Sequence, residues 1–240
     1  MSITKNRAVK KRAVILFSGG LDSTTILAIA NSLNYECYLL SFDYGQRHKN
    51  ELENASNIAQ LYKVIDHKII TINLQVFGNS ALTSDIEVPK HNNVQEINNK
   101  IVPITYVPAR NTIFLSYALA YCEIISSYDI FIGANAIDYS GYPDCRPEFI
   151  ESFAKMANLA TANSAQNNQK IKIHAPLINF DKSQIIKKGM NLGVDYSMTH
   201  SCYDPIIKNS KVISCKKCDS CLLRLKGFEN AGLEDKILYQ

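Results

Sequence analysis

The sequence predicts an α/β fold: a doubly wound, mostly parallel sheet of the Rossmann-like kind. Three observations carry this. Short β-rich runs alternate with longer stretches of helical apolar spacing along most of the chain. The β-rich runs are apolar without alternation, as strands covered on both faces require. Two glycines and four hydroxyl side chains then follow directly on the first such run, where a strand hands over to a helix.

Taken in order, RAVILF (12–17), CYLLSF (37–42), HKIITI (67–72) and DIFIGA (129–134) are expected as strands, and residues 22–33, 46–62 and 111–126 as helices. Crossovers between such strands are right-handed, which sets the strands parallel. Two asparagine-rich segments poor in apolar residues, PKHNNVQEINNK (89–100) and TANSAQNNQK (161–170), read as surface loops or lids. KIKIHAPLINF (170–180) precedes a further helix over 182–192, and a cysteine-bearing tail follows.

A chain of 240 residues can bury one sizeable core, so a single domain over 1–240 is expected, with residues 200–226 as a small C-terminal metal-binding appendage. No run reaches eighteen apolar residues. The basic N-terminus lacks the apolar core and cleavage site of an export signal, so a cytoplasmic protein with no membrane partner is expected. The net charge of +4 is weak, and Lys5, Arg7, Lys10, Lys11 and Arg12 read as a solvated lead-in to the first strand. No nucleic-acid partner is expected.

The stretch FSGGLDSTT (17–25) is an anion site by construction. A strand that ends in Ser-Gly-Gly and runs into a helix gathers free backbone N–H groups at the positive end of the helix dipole. Gly19 and Gly20 let the backbone come close to a ligand, while Ser18, Ser23, Thr24 and Thr25 offer hydroxyl donors to phosphate oxygens. A plain helix cap needs one polar residue, not five. The Gly-Lys-Ser/Thr ending of the other common phosphate loop is absent.

SGGLDS has the form SGGxDS and resembles the pyrophosphate loop of the N-type ATP pyrophosphatase superfamily, with its adenine nucleotide alpha hydrolase type of fold. Members of that superfamily split ATP into AMP and pyrophosphate. The resemblance implies that Phe17, Ser18, Gly19, Gly20, Leu21, Asp22, Ser23 and Thr24 cradle ATP, and that Ser18, Asp22 and Ser23 serve catalysis, with Asp22 helping to hold Mg2+. It also implies that Lys182, at the start of a late helix, neutralises charge on the α-phosphate. On spacing alone, Lys182 reads equally as a solvated helix lysine.

FDYGQRHKNE (42–51) follows the second strand, at the sheet edge where open α/β proteins place ligands, and makes Asp43, Arg47 and His48 candidates. YVPARNTIF (106–114), with Arg110 and Asn111, and GANAIDYSGYPDCRPEF (133–149) hold equivalent positions. The latter is dense in Gly, Pro, Asp, Arg and Tyr, a mixture that can stack on a flat ring and hydrogen-bond its edge.

FSGGLDSTT, FDYGQRH, VPARN, DYSGYPDCRPEF and the C-terminal cysteines, in that order over nearly the whole chain, resemble the 7-cyano-7-deazaguanine synthase family of the queuosine pathway. The two asparagine-rich loops and the extension before Arg12 fall outside the likeness. It implies an ATP-dependent ligase that converts 7-carboxy-7-deazaguanine, ammonia and two ATP into 7-cyano-7-deazaguanine, two AMP and two pyrophosphate, through an adenylated acid and an adenylated amide. It also implies a homodimer. For such a substrate, Asp138 or Asp144 is expected to accept the two N–H donors of the ring edge, and Arg110 or Arg146 to sit near the carboxylate. Residues 80–104 are expected as a mobile lid that keeps water from the adenylates.

Cys215, Cys218 and Cys221 form CxxCxxC, and Cys202 precedes them. Four thiolates so spaced can close a tetrahedron around one structural Zn2+, and an iron–sulfur cluster uses the same ligands. Seven cysteines is an odd count, which suits metal in a reducing compartment better than disulfides. Cys37, Cys122 and Cys145 are expected as small core or site-lining residues, with a reactive role open for Cys145.

Two rival readings fit the residues less well. A tRNA thiolase of the same superfamily needs a redox-active cysteine and a broad basic surface, and neither is evident. A zinc-ribbon nucleic-acid module built on the tail and the basic N-terminus leaves the SGGxDS loop without a purpose.

Overall fold

A computed structural model of the chain describes residues 10–47, 50–98, 101–138, 141–167, 169–209 and 211–240. Lys5, Arg7 and the candidate His48 lie outside the described residues. The main sheet has five strands, β1 (Arg12–Leu16), β2 (Glu36–Asp43), β3 (Asp66–Thr71), β4 (Asp129–Phe131) and β5 (Lys172–His174). All are parallel, in the order β3-β2-β1-β4-β5. The winding reverses between β1 and β4, and the carboxyl ends of those two strands part there to leave a crevice.

Seven helices are described: α1 (Leu21–Ser32), α2 (Asn50–Leu61), α3 (Arg110–Ile124), α4 (Pro147–Ala160), α5 (Ala162–Asn167), α6 (Lys182–Asn191) and α7 (Asp219–Ala231). Alternation along β1 feeds two cores, which is why its sequence is apolar throughout. Ala13 and Ile15 share one core with Ile26 and Leu27 of α1, Ile58 of α2 and Ile185 of α6. Val14 and Leu16 share the other with Leu115 and Ala118 of α3 and Phe153 of α4. Among the described residues, no helix is long and apolar enough to cross a membrane.

Four expectations need correction. The helix predicted from residue 46 starts at Asn50, because Gln46 serves the end of β2: its Oε1 accepts from Tyr44 N–H at 2.8 Å and its Nε2 donates to Phe42 O at 3.1 Å. The strand predicted over 129–134 stops at Phe131, although Ile132 N–H still donates to His174 O. Segment 161–170 is not a plain loop but contains α5. Asn158 anchors it, its Oδ1 accepting from Ser164 Oγ and from Ile171 N–H.

The predicted lid is also tied down. Ser80, Ala81, Thr83 and Val88 are buried, and Val88 packs with the four C-terminal cysteines. Lys90 pairs with Asp204 at 2.7 Å, and His91 N–H donates to Lys217 O at 2.8 Å.

The tail holds a small antiparallel hairpin of β6 (Ile206–Lys208) and β7 (Lys211–Ile213) between Cys202 and Cys215, and then α7 on α6. That packing needs Gly227, where a Cβ would lie 2.5 Å from Lys182 Cγ.

Candidate active site

At the carboxyl ends of β1, β2 and β4 lies a cavity of about 250 Å³. Its floor is the turn from β1 into α1. Gly19 takes φ +76°, and a Cβ there would lie 2.8 Å from Ala55 N, so the glycine lets the loop press against α2 as well as bend. Gly20 caps α1 without a side-chain hydrogen bond, which leaves the first N–H groups of the helix for a ligand. Ser18 Oγ and Ser23 Oγ lie 3.1 Å apart, and Phe17, Ser18, Gly20, Leu21, Asp22 and Ser23 all line the cavity.

Two predicted phosphate donors are corrected. Thr24 Oγ1 donates to Gly20 O at 2.8 Å and Thr25 Oγ1 to Leu21 O at 2.9 Å. Both threonines are buried in α1, where a hydroxyl reaches the carbonyl one turn back more easily than it reaches solvent.

Above this floor, α6 delivers Lys182. Asp181 closes a capping box with Gln184, which fixes where the helix starts and puts Lys182 at its first position. The lysine is 6% exposed, so it is no solvated helix residue. Its Nζ lies 3.0 Å from both oxygens of Asp22 and 3.2 Å from Asp138 Oδ2. Asn135 places Asp138, its Oδ1 accepting the N–H groups of Ile137 and Asp138. Burial pushes the Asp138 carboxyl above the usual carboxylate range, and Lys182 offsets this only in part.

The opposite wall carries Arg110, at the first position of α3, together with Tyr44, Glu51 and Phe114. Burial opposes the guanidinium charge, but Tyr44, Asp144, Tyr142 and Cys145 around it outweigh that and hold its pKa above the ordinary value. Burial raises Glu51 to about 7, with Arg110 pulling the other way. Phe42 stacks on Phe114 at 3.9 Å.

The remaining candidates are placed less centrally. Asp144 Oδ2 accepts Asn111 N–H at 3.0 Å, and Asn111 Nδ2 donates to Asp144 O and to Cys145 Sγ. These two residues fasten the start of α3, and of the pair only Asn111 lines the cavity. Arg146 is exposed at the N-cap of α4 and lines neither this cavity nor the larger one beside it. Asp43 ends β2, its carbonyl accepting Ile72 N–H, and Arg47 is exposed at the rim. Burial pushes the Cys145 thiol up to about 11, which removes the reactive thiolate left open for it.

The sequence reading did not single out Glu51, Asn135, His200 or Arg224. His200 N–H donates to Gly19 O at 3.3 Å, bringing the tail onto the loop. Its place two residues before Cys202 is the one signal the sequence held.

The Sγ atoms of Cys202, Cys215, Cys218 and Cys221 lie within 4.8 Å of one another, all buried. The N–H groups of Asp204 and Cys215 donate to Cys202 Sγ, and Cys218 N–H to Cys215 Sγ. Four buried sulfurs converging this closely, with three backbone N–H groups donating to two of them, fit a closed tetrahedral cation site, which the zinc expectation requires.

The family model described as queuosine biosynthesis protein QueC matches residues 12–232 of the chain. The chain belongs to this family. The match spans the SGGLDS loop, Lys182 and all four metal-site cysteines. The 7-cyano-7-deazaguanine synthase of Desulfatibacillum aliphaticivorans is 53% identical over 98% of this chain and 99% of its own. That of Citrifermentans bemidjiense is 56% identical over 97% and 99%. Among solved structures, NMN synthetase from Francisella tularensis superposes with a TM-score of 0.47 at 18% identity, over 82% of this chain and 67% of that one.

Proposed function

We propose that this QueC-family protein is an ATP-dependent carbon–nitrogen ligase that converts 7-carboxy-7-deazaguanine and ammonia into 7-cyano-7-deazaguanine. The observation that carries the reading is the meeting of Lys182 with Asp22 at the mouth of the SGGLDS loop, in a chain that matches the family over residues 12–232. The N–H groups at the start of α1, with Ser18 and Ser23, take the pyrophosphate end of ATP. Lys182 then stands at the α-phosphate. Asp22, 20% exposed and lining the cavity, would hold Mg2+, which would supply charge neutralisation on the phosphates.

A carboxylate is a poor electrophile. Its oxygen therefore attacks the α-phosphorus and expels pyrophosphate, and ammonia displaces AMP to leave an amide. The amide oxygen repeats the attack, and loss of the second AMP leaves the nitrile. Arg110 orients the carboxylate, a task Arg146 is too exposed to perform. The attack of the carboxylate sheds no proton, whereas the nitrogen loses protons as ammonia displaces AMP and as the amide becomes the nitrile, and Glu51, with its pKa raised to about 7, is suited to receive one. The cysteine site holds a structural zinc in this reading. The homodimer is checked by light scattering and the cytoplasmic setting by cell fractionation.

One incubation tests the function. With ATP, magnesium, ammonium and the carboxylated deazaguanine, mass spectrometry should find the nitrile and two AMP for each one formed. AMP release that depends on tRNA instead would favour a thiolase.

A further inference from the structure

Beside the first cavity lies a second of about 530 Å³, large enough for a flat bicyclic ring. Its walls are mostly apolar, with Ile101, Ile104 and Leu223 among them and the rings of Tyr106 and Tyr142 alongside. Tyr142 lines both cavities and so marks where they adjoin. Two carboxylates interrupt this lining, Asp138 and Asp219. Asp138 Oδ2 and Asp219 Oδ1 are buried and accept no hydrogen bond; the other such side-chain atoms among the described residues are the hydroxyls of Thr83 and Ser84. Each aspartate has a cation-forming group near it, Lys182 Nζ at 3.2 Å from Asp138 and His91 Nε2 at 3.2 Å from Asp219. Lys182 takes up part of the Asp138 acceptor, whereas the His91 contact leaves that of Asp219 open.

An acceptor left unfilled in an apolar setting is costly, and more so when it is charged. Two of them on one cavity point to a ligand that brings its own N–H donors.

We propose that this cavity is the subsite for the deazaguanine ring, with Asp219 accepting the N–H donors of the ring's far edge and Asp138 facing the end where the carboxylate is activated. This rests on the synthase reading above. The two aspartates are set apart by α7. Gly227 abuts the stem of Lys182, and Asp219 opens the same helix eight residues earlier, about 12 Å away along its axis. Asp138 therefore stands at the lysine end, where the open oxygen can accept from the nitrogen that enters there, and Asp219 stands toward the other.

A carboxylate suits the outer task because the ring's N1–H and 2-amino groups offer two donors side by side. The arrangement also gives the cysteine site a part in binding. Asp219 follows Cys218 directly, and His91 beside it is held by Lys217 O, so the metal knuckle fixes where the ring is read.

The test compares the substrate acid with its analogue lacking the 2-amino group, on the metal-loaded protein. The wild-type protein should favour the amino compound by about tenfold or more, since a site built to hydrogen-bond a group rejects the ligand without it. Asp219→Asn should raise the KM for the acid about tenfold and abolish that preference, with kcat and the KM for ATP within about twofold. Metal content, measured by mass spectrometry, should not change. Ile104→Trp fills the cavity from outside the metal knuckle and should raise the same KM, so the test stands even if Asp219→Asn loses metal. Wild-type KM and unchanged analogue preference in both variants would overturn the subsite while leaving the synthase reading intact. A wild-type protein that releases no AMP in response to the acid would instead overturn the synthase reading, and the subsite with it.

Discussion

Two buried cations face the cavity at the SGGLDS loop, Lys182 from α6 and Arg224 from α7, and they are finished to different degrees. Arg224 is 1% exposed and uses all five of its donors. Nε and Nη2 bind Asp235 at 2.6 and 3.0 Å, Nη1 donates to Thr199 Oγ1 at 2.8 Å and to Ser201 Oγ at 3.4 Å, and Nη2 also donates to Tyr196 O at 2.9 Å. Tyr239 OH completes Asp235 at 2.7 Å. The cluster is closed and binds the tail to itself.

Lys182 meets two carboxylates, Asp138 at 3.2 Å and Asp22 at 3.0 Å, and Asp22 is 20% exposed and faces the cavity. A complete buried ion cluster fastens the fold, whereas one that opens on a cavity is what the proposed phosphate site needs. The first supports the second. Arg224 holds residues 196–201, and from these His200 reaches Gly19 while Tyr196 OH meets Thr25 Oγ1 at 2.7 Å.

The sharpest way to break the contrast is to remove each cation. Arg224→Met should cost about 3–5 kcal/mol of stability by urea denaturation, because it strands Asp235 at 2% side-chain exposure; adding Asp235→Leu should restore most of the loss. If Arg224→Met leaves stability unchanged, the cluster is not the fastening described. Lys182→Met should lower AMP release about 10²–10³-fold, the size of effect seen when one donor to a developing oxyanion is lost. Its melting temperature should fall less than in Arg224→Met, since Asp22, one of the two carboxylates it leaves behind, is 20% exposed and reaches solvent.

A smaller change sharpens the comparison by moving Lys182 without deleting it. Gly227→Ala places a methyl 2.5 Å from Lys182 Cγ and 2.9 Å from Ile186 Cδ1, and overpacking of that kind costs about 1–3 kcal/mol. We expect activity to fall more than that stability loss accounts for, as read by kcat alongside a thermal melt.

The smallest expected effect concerns Glu51. Folding raises its pKa from 4.5 to about 7, so the native chain binds more protons than the unfolded one between those values, and stability falls as pH rises through that window. Glu51→Gln should therefore gain on the order of 1 kcal/mol over wild type at pH 8 and nothing at pH 4. Equal gains at both pH values would place the carboxyl in water.

What the sequence made legible was local. The strands show as apolar runs, the SGGLDS turn as a cluster of small polar residues, and the metal site as CxxCxxC with an upstream partner. Each is a signal that neighbouring residues carry themselves. The partnerships were not legible, because they join distant segments: Lys182 to Asp22 across 160 residues, and His200 to Gly19. Direction was hidden too. Thr24 and Thr25 look like Ser18 and Ser23 in sequence, yet helical geometry turns their hydroxyls inward. Asp144 and Asp138 share one motif, but only the structure tells that Asn111 occupies the first and that the second stands at Lys182. Asp219 sat unnoticed between two cysteines, where a spacer is the natural reading.

The measurement that bears most directly on the loop and Lys182 as an adenylating site follows the substrate's own oxygens. Both carboxylate oxygens of 7-carboxy-7-deazaguanine are labelled with oxygen-18, and the nucleotide products are weighed. The account predicts that each of the two AMP molecules carries one labelled oxygen and that pyrophosphate carries none. Label in pyrophosphate or phosphate, or ADP in place of AMP, would contradict it.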